Sequence, residues 1–519
     1  MLERTIPEES SADHLHLATH RDIVFRLTKD YLLFGGLRGG TSAFYNHALI
    51  GYVRNNPTVI PDFSITLSVA AMFRELPTPV GNSIKDAMDA KNIPRLQELH
   101  RISLFAGINP ALATWLVSQT YVTLLPYLGR SASHSQLWIF PTLTLPATFA
   151  LMGLTSEYIY GSIRNPFPTL LLFLASGPVM LLADTLLNLL GSTATYLTIA
   201  NGIQCLFFII AFMIFLERKY PNERVIKNMI EISKWKASYF EACHINRLGI
   251  QPALIVSSEV MAAILQNQLL DARSLSAFHP MSAAVMGIGG ILAQTFQQRN
   301  QVHSRNILNK LTEHPLLLRR ALRRMLLHAA WLSMIIPVTA GCIAMLANDY
   351  FISVIYKAAN DNADIISEAL RNTPFMFIAL TERFIAAGPS GMIFAVRNSA
   401  ETYHKQLNKY SSIVRIVNPL MFVALGYVLN DRFDLGSTGY WLGSVIAYAV
   451  SNVINATLAW KLIEYEYLKS MRLTGRVVSK PSSCFATLWH KSKEVEAIPL
   501  TAFSADTSKE ETPLNSPTP

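Results

Sequence analysis

Apolar stretches of roughly twenty residues recur along most of this chain, separated by short charged connections, and this repetition narrows the folds open to it. Hydrocarbon offers a backbone amide no water, so a run of this kind satisfies its own hydrogen bonds by coiling into a helix. Composition points the same way. Of 519 residues, 51% are apolar and 15% charged, with a mean hydropathy of +0.28, whereas soluble domains carry about 25% charge. The expectation is an all-α integral membrane protein of about 12 transmembrane helices in two six-helix bundles, with cytoplasmic N and C termini.

The runs place spans near 31–53, 59–81, 102–128, 136–160, 167–190 and 194–216, then near 248–270, 275–296, 326–350, 372–396, 412–430 and 437–462. The positive-inside rule tests this division independently, because it uses Lys and Arg rather than the residues that define the spans. The tails and the even-numbered connections hold most of the 44 Lys and Arg. The odd-numbered connections hold Arg54, Arg130, Arg273, Lys357, Arg371 and Arg432, while Arg38, Arg74 and Arg383 fall inside spans. Losing or adding one span would scramble that alternation. The chain therefore divides into an inner tail (1–30), an N-lobe (31–216), a linker (217–247), a C-lobe (248–462) and a disordered tail rich in Ser, Thr, Pro and charge (463–519).

The formal charge of +9 lies in the inner connections, which points to a lipid surface and excludes nucleic acid as the partner. The linker spaces Ile, Met and Trp helically among lysines and reads as an amphipathic helix on the inner face. Lys310 to Arg324 reads as a second basic amphipathic stretch at the headgroups. Cys205, Cys243, Cys342 and Cys484 are scattered without metal or disulfide spacing. His14, His16 and His20 fix no ligand geometry, so no metal is expected. The polar start shows no cleavable signal peptide, which leaves the first span as the insertion signal.

An internal repeat appears at the end of the second span of each half. Val80 to Asn92 lies over Ile288 to Asn300 at constant offset, keeping a Gly, the apolar positions and a terminal basic-Asn pair before a basic connection. Two halves of six spans with this Gly-to-Gln/Asn span end resemble the multidrug and toxic compound extrusion (MATE) family, within the superfamily that also holds polysaccharide and lipid-linked-precursor flippases. Gly287 to Gln301 (GIGGILAQTFQQRNQ) is the nearest piece. The resemblance covers roughly residues 25–465 and implies two related bundles with a substrate cavity between them and alternating access by rocking.

An ionisable side chain at membrane depth is costly unless it faces water or a partner, so each one is a functional candidate. On a helical wheel Gln251, Ser258, Glu259, Ala262 and Gln266 share one side of the seventh span, a polar stripe that lipid would reject. A buried Glu hydrogen-bonded to a neighbouring helix is the alternative for Glu259. The resemblance implies ion-coupling acids in the seventh and tenth spans, and Glu259 and Glu382 occupy those places. The chain departs from bacterial members in having no acid between Tyr31 and Arg54; Arg38 stands in the first span beside Ser42 and Tyr45 instead. Arg38 and Arg74 would suit an anion in an N-lobe cavity, or would pair with Asp62, Glu75 or Asp184. Glu382 and Arg383 point about 100° apart on a helix, so each is expected to pair across the bundle. The GGLRGG run from Gly35 to Gly40 reads as close helix packing.

Arg38, Arg74, Tyr45, Asp184, Gln266 and Arg383 are the side chains expected around the substrate. The resemblance implies a secondary active exporter of amphipathic organic compounds, exchanging them for H⁺ or Na⁺ and needing no other cofactor. The alternative is an exporter or flippase for an anionic or lipid-linked substrate held by a basic N-lobe cavity. No Ser/His/Asp or paired-His arrangement lies within a span and no GxxxxGK[ST] loop is present, so an enzyme is not expected. The expected partners are the lipid bilayer and a small-molecule substrate. The expected state is a monomer in a bacterial inner membrane.

Overall fold

The computed structural model describes residues 20–40, 43–44, 73, 76–128, 167–190, 194–229, 231–356, 363–397, 399 and 401–475. Tyr45, Arg74, the expected fourth span, about half of the first and most of the second lie outside the described residues. Every regular element among the described residues is helical.

In the N-terminal half, α1 (His20–Asp30) passes through a π turn (Tyr31–Gly35) into helical residues 36–40. α2 (Thr78–Asp89), α3 (Ile93–Leu124), α4 (Phe167–Asn188) and α5 (Ala194–Lys219) follow. Asn92 caps α3 by accepting from the Arg95 amide at 3.0 Å. α4 and α5 pack together, joined by a buried bond from Gln204 to Ser176 at 3.1 Å. The linker forms α6 (Val225–Met229) and α7 (Trp235–Leu248). α7 packs on α3 through the Arg95–Glu241 ion pair and Phe105, whose ring meets Trp235 edge-on at 5.7 Å. Arg101 reaches Glu231, just before α7, at 2.7 Å.

The C-terminal half runs through α8 (Ile250–Leu269), α9 (Ala272–Met281), a second π turn (Ser282–Met286) and α10 (Gly287–Lys310). It continues with α11 (Pro315–Leu346), α12 (Asn348–Ile355), α13 (Ala363–Ile385) and α14 (Ala387–Ala395). It closes with α15 (Thr402–Phe433) and α16 (Ser437–Leu473). Side chains fix the starts of two helices. Asp271 accepts from the Ser274 amide at 2.6 Å, and buried Glu368 accepts from the Ser437 amide at 2.8 Å at the start of α16.

α11, α15 and α16 are each long and apolar enough to cross a membrane. Their faces are distributed inside out. α11 exposes Leu327, Trp331 and Ile335 at four-residue spacing and buries Ala329, Ser333 and Pro337. α16 exposes Val450, Val453 and Trp460 while burying Ser451, Asn452 and Asn455. In water that arrangement would forfeit the hydrophobic drive, whereas in lipid the polar faces find partners only inside the bundle. Close approach needs missing side chains: a Cβ on Gly443 would sit 2.7 Å from the Gly426 amide nitrogen, so α15 and α16 meet backbone to backbone.

Several boundaries differ from expectation. Residues 20–30 form a helix with Ile23 and Leu27 buried, because α1 docks on α11 and α10. Residues 463–473, placed in the disordered tail, continue α16 and bury Glu466 and Ser470. Lys310 to Arg324 is not one surface helix: Pro315, lacking an N–H, starts α11 after a turn, and Arg319 and Arg323 pair inward with Glu464 at 2.8 and 2.7 Å. The tenth span is two helices, α13 and α14, which meet at Ala386 just before Gly388 and Pro389. The repeat also diverges at its end, since Asn92 caps a helix while Asn300 lies inside α10, accepting from the Tyr31 hydroxyl at 2.7 Å.

Candidate functional site

A cavity of about 780 Å³ opens among α8, α10, α13, α14, α15 and α16 in the C-terminal half. Glu259 lines it from α8 and Arg383 from α13. Both remain without a hydrogen bond or ion pair among the described residues. Arg383 lies over Gly290: a Cβ there would stand 3.2 Å from its Cζ. The glycine of the GIGG run therefore makes room for a guanidinium, and Tyr448 on α16 is the third ionisable group beside this pair. Adjacent Glu382 turns the other way and accepts from Asn452 Nδ2 at 2.6 Å, while the same amide bonds the Glu382 carbonyl at 2.8 Å. Glu382 thus hydrogen-bonds across the bundle, while Arg383 meets Glu259 and Tyr448 of other helices through their charges only.

The other expected positions scatter. Ser258 turns its hydroxyl back to the Ile255 carbonyl at 2.7 Å, and Gln266 is 3% exposed and does not line the cavity. The expected stripe on the seventh span therefore splits, with Glu259 reaching the cavity while Ser258, Ala262 and Gln266 are buried. Asp184 accepts from Asn188 at 3.1 Å within its own helix. Arg38 donates to Thr295 at 3.2 Å and to Gln298 at 3.1 Å, both on α10. It thus ties the first helix to the opposite half. The GGLRGG glycines do serve packing: a Cβ on Gly35 would meet Phe296 at 3.0 Å and one on Gly39 would meet Leu292 at 3.1 Å.

Several lining side chains carry no sequence signal of their own. Arg415 falls at the start of the expected eleventh span, and α15, which begins at Thr402, carries it to the cavity, over the Phe394 ring at 5.1 Å. Asn418 and Asn452 are each 7% exposed, and their Oδ1 atoms have no hydrogen-bond partner among the described residues. An unmatched buried carbonyl oxygen costs on the order of 1–3 kcal/mol.

At one end of the cavity stands a charged cluster. His404 Nε2 lies 2.5 Å from Glu466 Oε1, its Nδ1 2.7 Å from the Ser399 hydroxyl, and Lys469 hydrogen-bonds Glu401. Burial alone would raise the Glu401 carboxyl, but Lys469, His404 and the Tyr465 hydroxyl outweigh it and hold the group below the usual carboxylate range. Glu401, His404 and Glu466 bring ligand atoms within 4.8 Å of one another, as a metal would need. Lys469, also 3.8 Å from Glu466, already supplies the positive charge there. The cluster is an ion-pair network in which Lys469 bridges Glu401 and Glu466.

Solved structures supply the comparison that decides the fold. Over 87% of this chain and 100% of its own length, the eukaryotic MATE transporter AtDTX14 superposes with a TM-score of 0.64 at 15% identity. The fold is that of the MATE transporters. A MOP superfamily transporter from Pyrococcus furiosus, described as having a binding pocket of reverse polarity, matches with a TM-score of 0.65 at 14% identity over 88% of this chain and 99% of that one. The MATE fold is also matched in both of its access states. An outward-facing multidrug resistance MATE transporter gives 0.61, and an inward-facing one 0.58, each at 14% identity, covering 88% and 85% of this chain and 99% and 98% of theirs. No family model matches the chain, and no curated protein matches it by sequence.

Proposed function

We propose that this protein is a secondary active exporter of amphipathic organic compounds, exchanging them for H⁺ or Na⁺ by alternating access. The observation that carries the reading is the Glu259 carboxylate, which faces the large C-lobe cavity without a hydrogen bond or ion pair among the described residues. A carboxylate in that setting serves a cation that comes and goes, because a permanent partner would occupy it. The MATE fold, matched in outward- and inward-facing forms, supports the rocking cycle. The reading includes twelve spans with both termini in the cytoplasm, a monomer and a bacterial inner membrane, with Glu382 as a second coupling acid. Arg38 gives the anion-carrying alternative less support, because it donates to Thr295 and Gln298 on α10, while Arg74 lies outside the described residues.

The test is substrate-driven H⁺ or Na⁺ movement in proteoliposomes, native protein against Glu259→Gln. Exchange that falls at least about tenfold in the variant supports the reading. Transport indifferent to both gradients, or unchanged in Glu259→Gln, overturns it.

A further inference from the structure

The cavity presents two opposite charges that feel each other's field without touching. Glu259 and Arg383 both line it, and neither has a hydrogen bond or ion pair among the described residues. Arg383 is seated on Gly290, where any side chain would crowd its guanidinium within 3.2 Å.

Each charge selects its own ligand chemistry. A guanidinium presents a fork of N–H donors that fits a carboxylate or phosphate and cannot be switched off by deprotonation. A carboxylate without a hydrogen-bonding partner is acceptor-only and suits an ammonium. A purely cationic substrate would leave Arg383 buried with it and unpaired, which is costly. A purely anionic one would leave Glu259 unanswered.

We infer that the cavity takes a zwitterionic substrate, whose ammonium group lies at Glu259 and whose carboxylate or other oxyanion lies at Arg383. The inference rests on the proposed transport reading in treating the cavity as the substrate site, and it names the substrate class. It also explains how an anionic group and cation exchange coexist. The substrate's ammonium competes with H⁺ or Na⁺ for Glu259, while its oxyanion engages Arg383 and leaves that competition untouched.

Three forms of one skeleton test this on the full-length protein in lipid nanodiscs: phenylalanyl-alanine, its C-terminal amide (cation only) and its N-acetyl derivative (anion only). The zwitterion should bind at least about tenfold more tightly than either capped form. Arg383→Gln should abolish its advantage over the amide, leaving amide binding within about twofold, and Arg383→Lys should restore part of that advantage. Equal binding of the three forms, binding of none, or a preference that survives Arg383→Gln overturns the inference. Thermal unfolding of each variant separates lost recognition from lost fold. Exchange of the amide for H⁺ or Na⁺ is scored separately in proteoliposomes. Exchange without zwitterion preference defeats this inference alone, and preference without exchange defeats the antiport reading.

Discussion

Asp30 receives two hydrogen bonds from the Arg299 guanidinium onto one carboxylate oxygen, from Nε at 2.9 Å and from Nη2 at 2.6 Å. The same oxygen lies 2.9 Å from His303 Nε2. One turn of contact beyond, Tyr31 stacks on Phe296 at 3.8 Å, and Arg299 lies over the Phe34 ring at 4.1 Å. The first helix is thereby bolted to α10, in the opposite half of the chain. Arg299→Ala should loosen α1 and cost about 1–3 kcal/mol, because it leaves a half-buried carboxylate short of its donors. Limited proteolysis after Lys29 and thermal unfolding would read this. Arg299→Lys should recover only part, since an ammonium cannot reproduce the fork.

The same contact has a defined pH response. Burial alone would raise the Asp30 carboxyl, but His303 and Arg299 reverse that and hold it below its ordinary range. A depressed folded-state value means that the stabilisation is complete above the unfolded value of about 3.9 and is lost as pH falls through the still lower folded one. Protease sensitivity after Lys29 should therefore show no contribution from Asp30 protonation between about pH 5 and 8 and should rise in strong acid. In Asp30→Asn that acid step should vanish.

Two glycines offer a contrast in how closely helices pack. A Cβ on Gly391 would sit 2.5 Å from the Gln297 carbonyl oxygen and 2.7 Å from Asn300 Cβ, neither of which can swing aside. Gly391→Ala should destabilise by about 1–3 kcal/mol by forcing α14 from α10. A Cβ on Gly289 comes within 2.2 Å of Leu380 Cδ1, the end of a flexible side chain. Gly289→Ala should cost less, and a thermal unfolding series on the purified pair checks the order.

Glu368 is 4% exposed and serves the start of α16 through the Ser437 amide and hydroxyl, with Arg273 Nε at 3.6 Å. Glu368→Ala strips the buried Ser437 N–H of its acceptor and should lower stability by about 1–3 kcal/mol. Glu368→Gln retains an acceptor and should lose less. Hydrogen exchange at Ser437 and Thr438 would localise the effect.

The long helices were legible because the bilayer imposes its rule locally. α11, α15 and α16 each carry their apolar run in contiguous sequence, and no distant partner is needed to recognise it. Glu259 and Arg383 were legible for the same reason, as charges interrupting such runs. Asn418, Asn452 and Tyr448 were not, since amides and phenols occur throughout, and only packing of α15 and α16 against α8 and α13 brings them to one cavity. Gln266 illustrates the converse: it shares a wheel face with Glu259, but a neighbouring surface covers it. The Asp30–Arg299 pair links residues 269 positions apart, a distance over which periodicity carries no information.

The length of α16 has a mechanical consequence. Its 37 residues make a rod of about 55 Å, against about 30 Å of hydrocarbon. Roughly 25 Å of continuous helix therefore stands clear of the lipid tails, stiffened by the His404 and Glu401 contacts near Glu466 and Lys469. Such an overhang is a lever: a tilt of roughly 10° about the bilayer centre would sweep its tip through about 7 Å. A spectroscopic label near Lys469 would register, in open water, a tilt that is almost imperceptible at the membrane midplane.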